Sequence, residues 1–384
     1  MFYIRVVNST DYADMYKFTT RLYEHHIGLC HEGLLDEAQF AAIFEQGYLR
    51  GLLLIQSEID PLHDNLHSTV QTGRTIGCMF YHHVVSTMHG QGLYLDHFSI
   101  LPEFRRRGLG QMMMARLCHI CLTSKGTHIK LMFQKGLALE KLYGKWGFVN
   151  STTSRPRLHL FEAYGRSELC RFLDCGEMLE NSSTGKLTSN LLIKIILPLD
   201  TSTVTHCPKW IALNGASVGS ENSFLRTACS PKPQLVVVTD GNLGEASDHK
   251  DVPLKPRMCM FTEQICVCSW MGPMVGFSDF MGDTSLLQPE LLYNRVRDWS
   301  QLDPNLRGAY WEVPFGSDST EEAGTTSLKG FLNQFEVPDD TEHVGWNISY
   351  LDEVGMRQLI ALTAFIEMQH TTEHIRTGSE NNVP

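Results

Sequence analysis

The sequence predicts an α/β fold, a mixed sheet carrying helices, present twice along the chain. Three observations predict it. Strand-like and helix-like segments follow one another over the first 165 residues in the order β-α-β-β-β-α-β-α-β. A polar stretch without apolar periodicity, residues 176–189, then interrupts the chain. Beyond it the apolar pattern of the first half returns at a nearly constant offset.

The elements follow from local patterns. Phe2–Val7 is a β-branched and aromatic run closed by Asn8-Ser9-Thr10-Asp11, a strand leading to a helix cap. Residues 12–30 place Met15, Phe18, Leu22 and Tyr23 at helical spacing. Leu52–Ile55, Thr75–Val85 and Leu93–Ile100 read as strands, with a glycine turn at 90–92. Gln111–Leu122 is a strongly apolar helix, His128–Phe133 a strand, Leu137–Trp146 a helix and Leu158–Ala163 a last strand.

The repeat rests on four matches in order. Ile4–Val7 meets Ile193–Ile196 and Ile76–Cys78 meets Ile265–Val267, both at +189. Pro102–Phe104 meets Pro289–Leu291 at +187, and Leu139, Leu142, Trp146 and Phe148 meet Leu328, Phe331, Phe335 and Val337 at +189. The expected organisation is a domain over residues 1–175, a linker over 176–189 and a second, related domain over 190–384. The two differ in charge: residues 1–175 sum to +2 and residues 176–384 to −13.

This balance excludes general nucleic-acid binding, which needs a basic face to displace counterions. No apolar run is long enough to span a bilayer and the N-terminus turns polar at once, so the expectation is a cytoplasmic or nuclear protein without membrane contact. The eleven cysteines show no disulfide framework; Cys118 and Cys121 read as buried thiols within a helix. His82, His83, His89 and His97 match no ligand spacing, so no metal is expected.

Residues 94–148 carry the chemistry. A strand runs into Arg105-Arg106-Arg107-Gly108-Leu109-Gly110, and an apolar helix begins immediately. Glycines here permit positive φ and let successive amides turn toward one anion, while the helix N-terminus adds unpaired N–H groups. The arginines add charge at the rim, which together makes a diphosphate cradle. Tyr143 follows on a helix that ends at Gly147-Phe148.

Strand, R-x-x-G-x-G, helix, strand and then L-Y-x-x-x-G-F resembles the GNAT acetyltransferase superfamily over roughly residues 1–165. Within it, Phe2–Val7, Gly77–Tyr81, Tyr94-Leu95-Asp96, Arg105…Gly110 and Leu142-Tyr143 are similar to the spermidine/spermine (diamine) N-acetyltransferases. The resemblance implies a GNAT-type mixed, mostly antiparallel sheet flanked by helices, duplicated in tandem. It implies acetyl-CoA as cosubstrate, a small amine as acceptor, and direct transfer. Phe98, Ser99 and Ile100 would hold the acetyl-pantetheine arm; Arg105, Arg106, Arg107, Gly108, Leu109, Gly110 and Gln111 would hold the pyrophosphate. Tyr143 would protonate the departing thiolate as general acid, and Asp96 would take the proton of the amine. His25, His26, Asp96 and His97 fall where the relatives bind the amine.

The chain departs from the diamine pattern at three places. His97 stands in place of an acidic residue, His25 and His26 in place of a Tyr-Glu pair, and Gly136 in place of an asparagine. Imidazoles bring no fixed negative charge to a cationic substrate. The second half reads Leu292–Arg297 opposite Arg105…Gly110 and Leu332 opposite Tyr143. It is therefore expected to be a degenerate half without the CoA loop, which covers the first, stands in for a dimer partner or binds another protein. The diamine acetyltransferases are dimers, so an intramolecular pseudo-dimer or a homodimer is expected. The competing functional reading is a non-catalytic tandem protein that senses CoA or acts as a scaffold.

Overall fold

A computed structural model describes residues 2–25, 34–57, 73–86, 89–136, 138–153, 157–164, 169–174, 191–196, 234–240, 256–278, 280, 289–315, 330, 332–333 and 335–364. The expected fold class is what it contains: two mixed, mostly antiparallel sheets flanked by helices, built on one plan. The first half contributes β1 (Phe2–Val6), α1 (Tyr12–His25), α2 (Glu37–Glu45), β2 (Arg50–Gln56), β3 (Arg74–Ser86) and β4 (Gly90–Ile100). It continues with α3 (Leu109–Thr123), β5 (His128–Gln134), α4 (Leu139–Lys145), β6 (Val149–Asn150) and β7 (Arg157–Tyr164). The second contributes β8 (Leu191–Ile196), β9 (Gln234–Asp240), β10 (Pro256–Cys268), β11 (Gly272–Ser278), α5 (Pro289–Leu302), β12 (Gly308–Phe315) and β13 (Trp346–Asp352).

Helix α2 was not legible as part of the apolar rhythm, yet its start is written locally. Asp36 accepts from the Gln39 amide at 2.8 Å while the Gln39 side chain accepts from the Asp36 amide at 3.2 Å, a reciprocal capping box. The helix then buries Phe40, Ile43 and Phe44 against Phe80 of β3. Helix α3 buries Met113, Met114, Leu117, Cys118 and Cys121. The Cys121 thiol donates to the His128 carbonyl at 3.2 Å, and burial pushes it up to about 12, as fits a structural thiol.

The last strand of each half leaves its own sheet. The first sheet runs β1-β2-β3-β4-β5-β13-β6, and the second runs β7-β12-β11-β10-β9-β8. Sequence order places Leu158–Ala163 at the end of the first sheet; instead β7 pairs with β12 from Gly308↔Tyr164 to Phe315↔Arg157. Reciprocally, β13 lies between β5 and β6, pairing Trp346↔Gln134 through Asp352↔His128. The segments that follow cross over too. Residues 353–364 bury Met356 and Leu359 in the first core, and residues 169–174 bury Leu169 and Phe172 in the second. Each hydrophobic core is thus closed by chain from the other half.

The repeat itself is real but its register differs from the one read from sequence. The β3–β4 turn joins Ser86 to Gly90 and the β10–β11 turn joins Cys268 to Gly272, an offset of 182. Ile265 therefore stands opposite His83 and not opposite Ile76. Matching the starts of α3 and α5 likewise puts residues 285–290 opposite Arg105…Gly110. Leu292–Arg297, the expected counterpart, lies inside α5. Apolar residues recur so often in strands that they cannot distinguish neighbouring alignments, whereas the turns can.

Where the halves meet, Lys130 of β5 forms an ion pair with Glu312 of β12, and both are almost fully buried. The rings of Tyr94, Tyr310 and Tyr350 surround the ammonium at 5.8, 5.9 and 5.8 Å. Removing one member of such a pair strands a charge without water, at a cost of about 3–5 kcal/mol. We expect Glu312→Ala to lower the unfolding free energy by about that amount in urea titrations. The double change Lys130→Met with Glu312→Leu should recover most of it, because the two charges then leave together.

Candidate active site

The site begins with one extra residue in β4. The β3–β4 ladder pairs Phe80 with His97 and then Tyr81 with Leu95, so Asp96 is a β-bulge with no partner opposite. The parallel ladder between β4 and β5 runs from Gly92↔His128 to Leu95↔Leu131 and stops at that bulge. Past it β4 stays with β3, through Gly77↔Ile100, while β5 stays with β13, through Trp346↔Gln134. The sheet is therefore split between residues 96–100 and 132–134, and one edge of Phe98–Ile100 has no ladder neighbour among the described residues. Backbone groups on such an edge can bind an extended chain.

The split leads to the glycine loop. A 3-10 turn at Pro102–Phe104 reverses the chain, and the Arg105 Nε donates to the Ile100 carbonyl at 2.8 Å. Arg106 has φ +61° and Gly108 φ +76°, so the backbone alternates hand within three residues and turns its amides toward one side. A Cβ at Gly108 would meet nothing within 4 Å, so the space above the loop is open. The first backbone bond of α3 runs from the Met112 amide to the Gly108 carbonyl. The amides of Arg106 to Gln111 have no acceptor among the described residues, which makes them available to an anion. Arg107 donates to the Glu103 carbonyl at 3.0 Å, and Arg74 pairs with Glu103 at 2.8 Å. Arg106 is exposed and makes no ion pair among the described residues. The Gln111 side-chain Nε2 donates to Thr363 Oγ1 at 3.2 Å and ties α3 to residues 353–364.

Tyr143 lies on the other side of the split. Its ring packs on Phe133 of β5 at 5.2 Å, on Trp146 at 5.8 Å and on Phe148 at 5.5 Å. Trp146 in turn approaches Phe98 of β4 at 6.3 Å, which bridges the two arms of the split. Only 6% of Tyr143 is exposed, and burial pushes its phenol above the ordinary tyrosine range, so it is protonated at neutral pH.

Asp96 is partly buried and loss of water pushes its carboxyl up to about 7, although hydrogen bonding from Ser269 pulls the other way. The Ser269 amide donates to Asp96 Oδ2 at 3.1 Å, a contact from the second half that the sequence alone did not suggest. His97 is 1% exposed: its ring stacks on Phe80 at 4.6 Å and its Nε2 lies 2.9 Å from the Ser99 Oγ. The fold thus holds it in the packing beneath α2. His26 lies outside the described residues, and of His25 only the backbone at the end of α1 is described. Among the described residues no group of histidine, cysteine or acidic side chains is arranged to hold a metal ion, and no helix is long and apolar enough to cross a membrane.

The second half repeats the frame of Tyr143 without its hydroxyl. In the first, the Trp146 and Phe148 amides both bond the Tyr143 carbonyl, and Gly147 bonds Gly144 at φ +91°. In the second, the Phe335 and Val337 amides both bond the Leu332 carbonyl, and Glu336 bonds Asn333 at φ +55°. Leu332 therefore occupies the position of Tyr143. Strand β11 also lacks a bulge: its ladder with β10 runs unbroken from Thr262↔Ser278 to Cys268↔Gly272.

Residues 64–150 match the family described as Acetyltransferase (GNAT) domain. No curated protein matches the chain by sequence. Among solved structures, the chain is similar to the GCN5-related glucosamine N-acetyltransferase region of a fungal multi-domain GH3 β-N-acetylglucosaminidase. The identity is 10% and the TM-score 0.41, over 91% of this chain and 38% of that one, so this chain spans well under half of that protein. It is similar to a tandem GNAT protein from the clavulanic acid biosynthesis pathway at 9% identity and TM-score 0.41, over 92% of this chain and 99% of that one. It is also similar to the ribosomal-protein-S18-alanine N-acetyltransferase of Escherichia coli at 20% identity and TM-score 0.28, over 40% of this chain and 80% of that one.

Proposed function

We propose that the first sheet transfers an acetyl group from acetyl-CoA directly to a small primary amine of the diamine type. The observation that carries this reading is the split after Asp96, which opens an unladdered edge of β4 directly onto a loop of unpaired amides at Arg106–Gln111. A diphosphate suits those amides and the neighbouring Arg106 cation, and a pantetheine arm suits the edge of Phe98–Ile100. The cosubstrate supplies an activated thioester; the residues of this chain supply orientation and proton handling.

In this reading the neutral amine attacks the thioester carbon, a C–N bond forms and the C–S bond breaks. Asp96 receives the proton that the amine loses, directly or through water, and a carboxylate poised near neutrality is suited to that task. The phenol of Tyr143 gives its proton to the departing thiolate, and its burial keeps that proton in place until negative charge develops beside it. The products are the N-acetylated amine and free CoA thiol. The second half, with Leu332 in place of the phenol and an unbulged β11, is proposed to have no transfer activity of its own.

Three measurements test this reading. Tyr143→Phe should lower turnover by about 10²–10⁴-fold while calorimetry shows acetyl-CoA affinity within about twofold of wild type. Gly108→Val places a branched side chain at positive φ over the open amides. It should weaken acetyl-CoA binding at least tenfold and cost on the order of 1–2 kcal/mol of stability. For Asp96, a base with its pKa raised to about 7 must lose its proton to work. The kcat/KM for the amine should therefore climb as pH rises through about 7, and Asp96→Asn should remove that limb. Tight acetyl-CoA binding with no thiol release over a panel of diamines, polyamines and amino acids would favour the sensing or scaffolding role instead.

A further inference from the structure

We infer that the second half is a working part of the acceptor site: the tip of its β10–β11 hairpin, Ser269-Trp270-Met271, holds Asp96 in position and walls the space an amine must enter. This rests on the acetyltransferase reading of the first sheet and adds to it a role for the half that has lost its own machinery.

The tip is a built contact. The Met271 amide bonds the Cys268 carbonyl at 3.2 Å and Gly272 follows at φ +101°, a tight three-residue hairpin loop. That loop is wedged into the first half from three directions. The Leu35 amide, just ahead of α2, donates to the Trp270 carbonyl at 2.9 Å. The ring of Tyr23, near the end of α1, meets Trp270 edge-on at 6.2 Å. The Ser269 amide reaches Asp96 Oδ2 at 3.1 Å. Ser269, Trp270 and Met271 are 1%, 8% and 3% exposed, so the loop is embedded and does not wave in solvent.

The place of the contact decides its meaning. A bulge residue has no ladder partner to fix its direction, so Asp96 depends on a side-chain partner to be aimed. Among the described residues that partner is Ser269, and no charged side chain of α1, α2, β3 or β5 acts on the carboxyl beside it. The glycine loop lies at the far end of the split, beyond Ile100. The acceptor must then approach from the bulge end, where the tip, Tyr23 and the start of α2 form the wall. Ser269 is therefore a positioning residue, supplied by a hairpin of the half in which Leu332 stands where the first has Tyr143.

The test uses the full chain. Ser269 is the second residue of a four-residue turn, a position where proline is compatible, so Ser269→Pro deletes the amide donor with little demand on the backbone. Ser269→Ala keeps the amide and removes only the hydroxyl, whose own hydrogen bond to the carboxyl also holds Asp96 down. Both should leave acetyl-CoA affinity within about twofold of wild type, because the glycine loop is untouched. Losing a donor to the carboxylate favours its protonated form, so the acid limb of kcat/KM should move to higher pH, further in Ser269→Pro than in Ser269→Ala. Turnover lost near neutrality should return at alkaline pH. A wild-type pH profile in folded Ser269→Pro would overturn the inference. Should that variant not fold, titration of the Asp96 carboxyl by ¹³C NMR in wild type and Ser269→Ala decides, and an unmoved titration overturns it. The NMR readout needs no turnover. A wild-type protein inactive on every amine, with the Asp96 titration still responding to Ser269, sinks the acetyltransferase reading and leaves the contact standing.

Discussion

The exchange of last strands is the constraint on which the rest of this molecule depends. Strand β5 is a central strand only because β13 covers its far edge, and β6 attaches to the sheet only through β13. Helix α4, which carries Tyr143, is strung between β5 and β6. The first sheet therefore cannot present its phenol without a strand from the end of the chain, and the second cannot bury Trp311 and Phe172 without β7 and the residues after it. The exchange covers the far edges of β5 and β12 with chain that is already tethered, and leaves the short β6 and β7 at the ends of the two sheets. Separate domains joined by a linker would have left each half free to keep its own last strand.

The asymmetry between the halves is concentrated in a few places. The same hairpin offset, the same sheet order and the same bonds at Tyr143 and Leu332 persist. What differs among the described residues is one inserted residue in β4 and the phenol of Tyr143, for which the second half has Leu332. A bulge costs a ladder bond and forces the strand to diverge, so it persists where divergence is used. The unbulged β11 keeps its full ladder, as a strand does when its task is to present a rigid turn. The buried Lys130–Glu312 pair makes the same point at the junction, because its two charges come from non-equivalent positions of the repeat.

Much of this was legible in the sequence, and what was not has identifiable causes. Strand and helix periodicity located most elements, and R-x-x-G-x-G located a loop whose positive φ falls at Gly108 as the glycine allows. The second positive φ, at Arg106, carried no signal because arginine does not advertise it. Helix α2 was missed although Asp36-x-x-Gln39 announces a capping box. The offset of the repeat was misread because branched apolar residues are interchangeable in strands, while Gly90 and Gly272, which fix it, stand alone. No local pattern could reveal that β7 and β13 change sheets, since pairing partners are chosen by edges far apart in the chain. Ser269 was invisible for the same reason: a serine in a turn has meaning only when the carboxylate it faces is known.

The exchange also dictates an order of events during synthesis. The ribosome releases β1 to β6 and their helices long before β13 exists, so the emerging first sheet waits with β5 uncovered and β7 without a partner. A nascent chain in that condition is at its most vulnerable to capture by other nascent chains, and pairings between elements so distant in sequence form slowly. Assembly of the first sheet is thereby tied to completion of the half that follows it, and a chain interrupted partway yields neither.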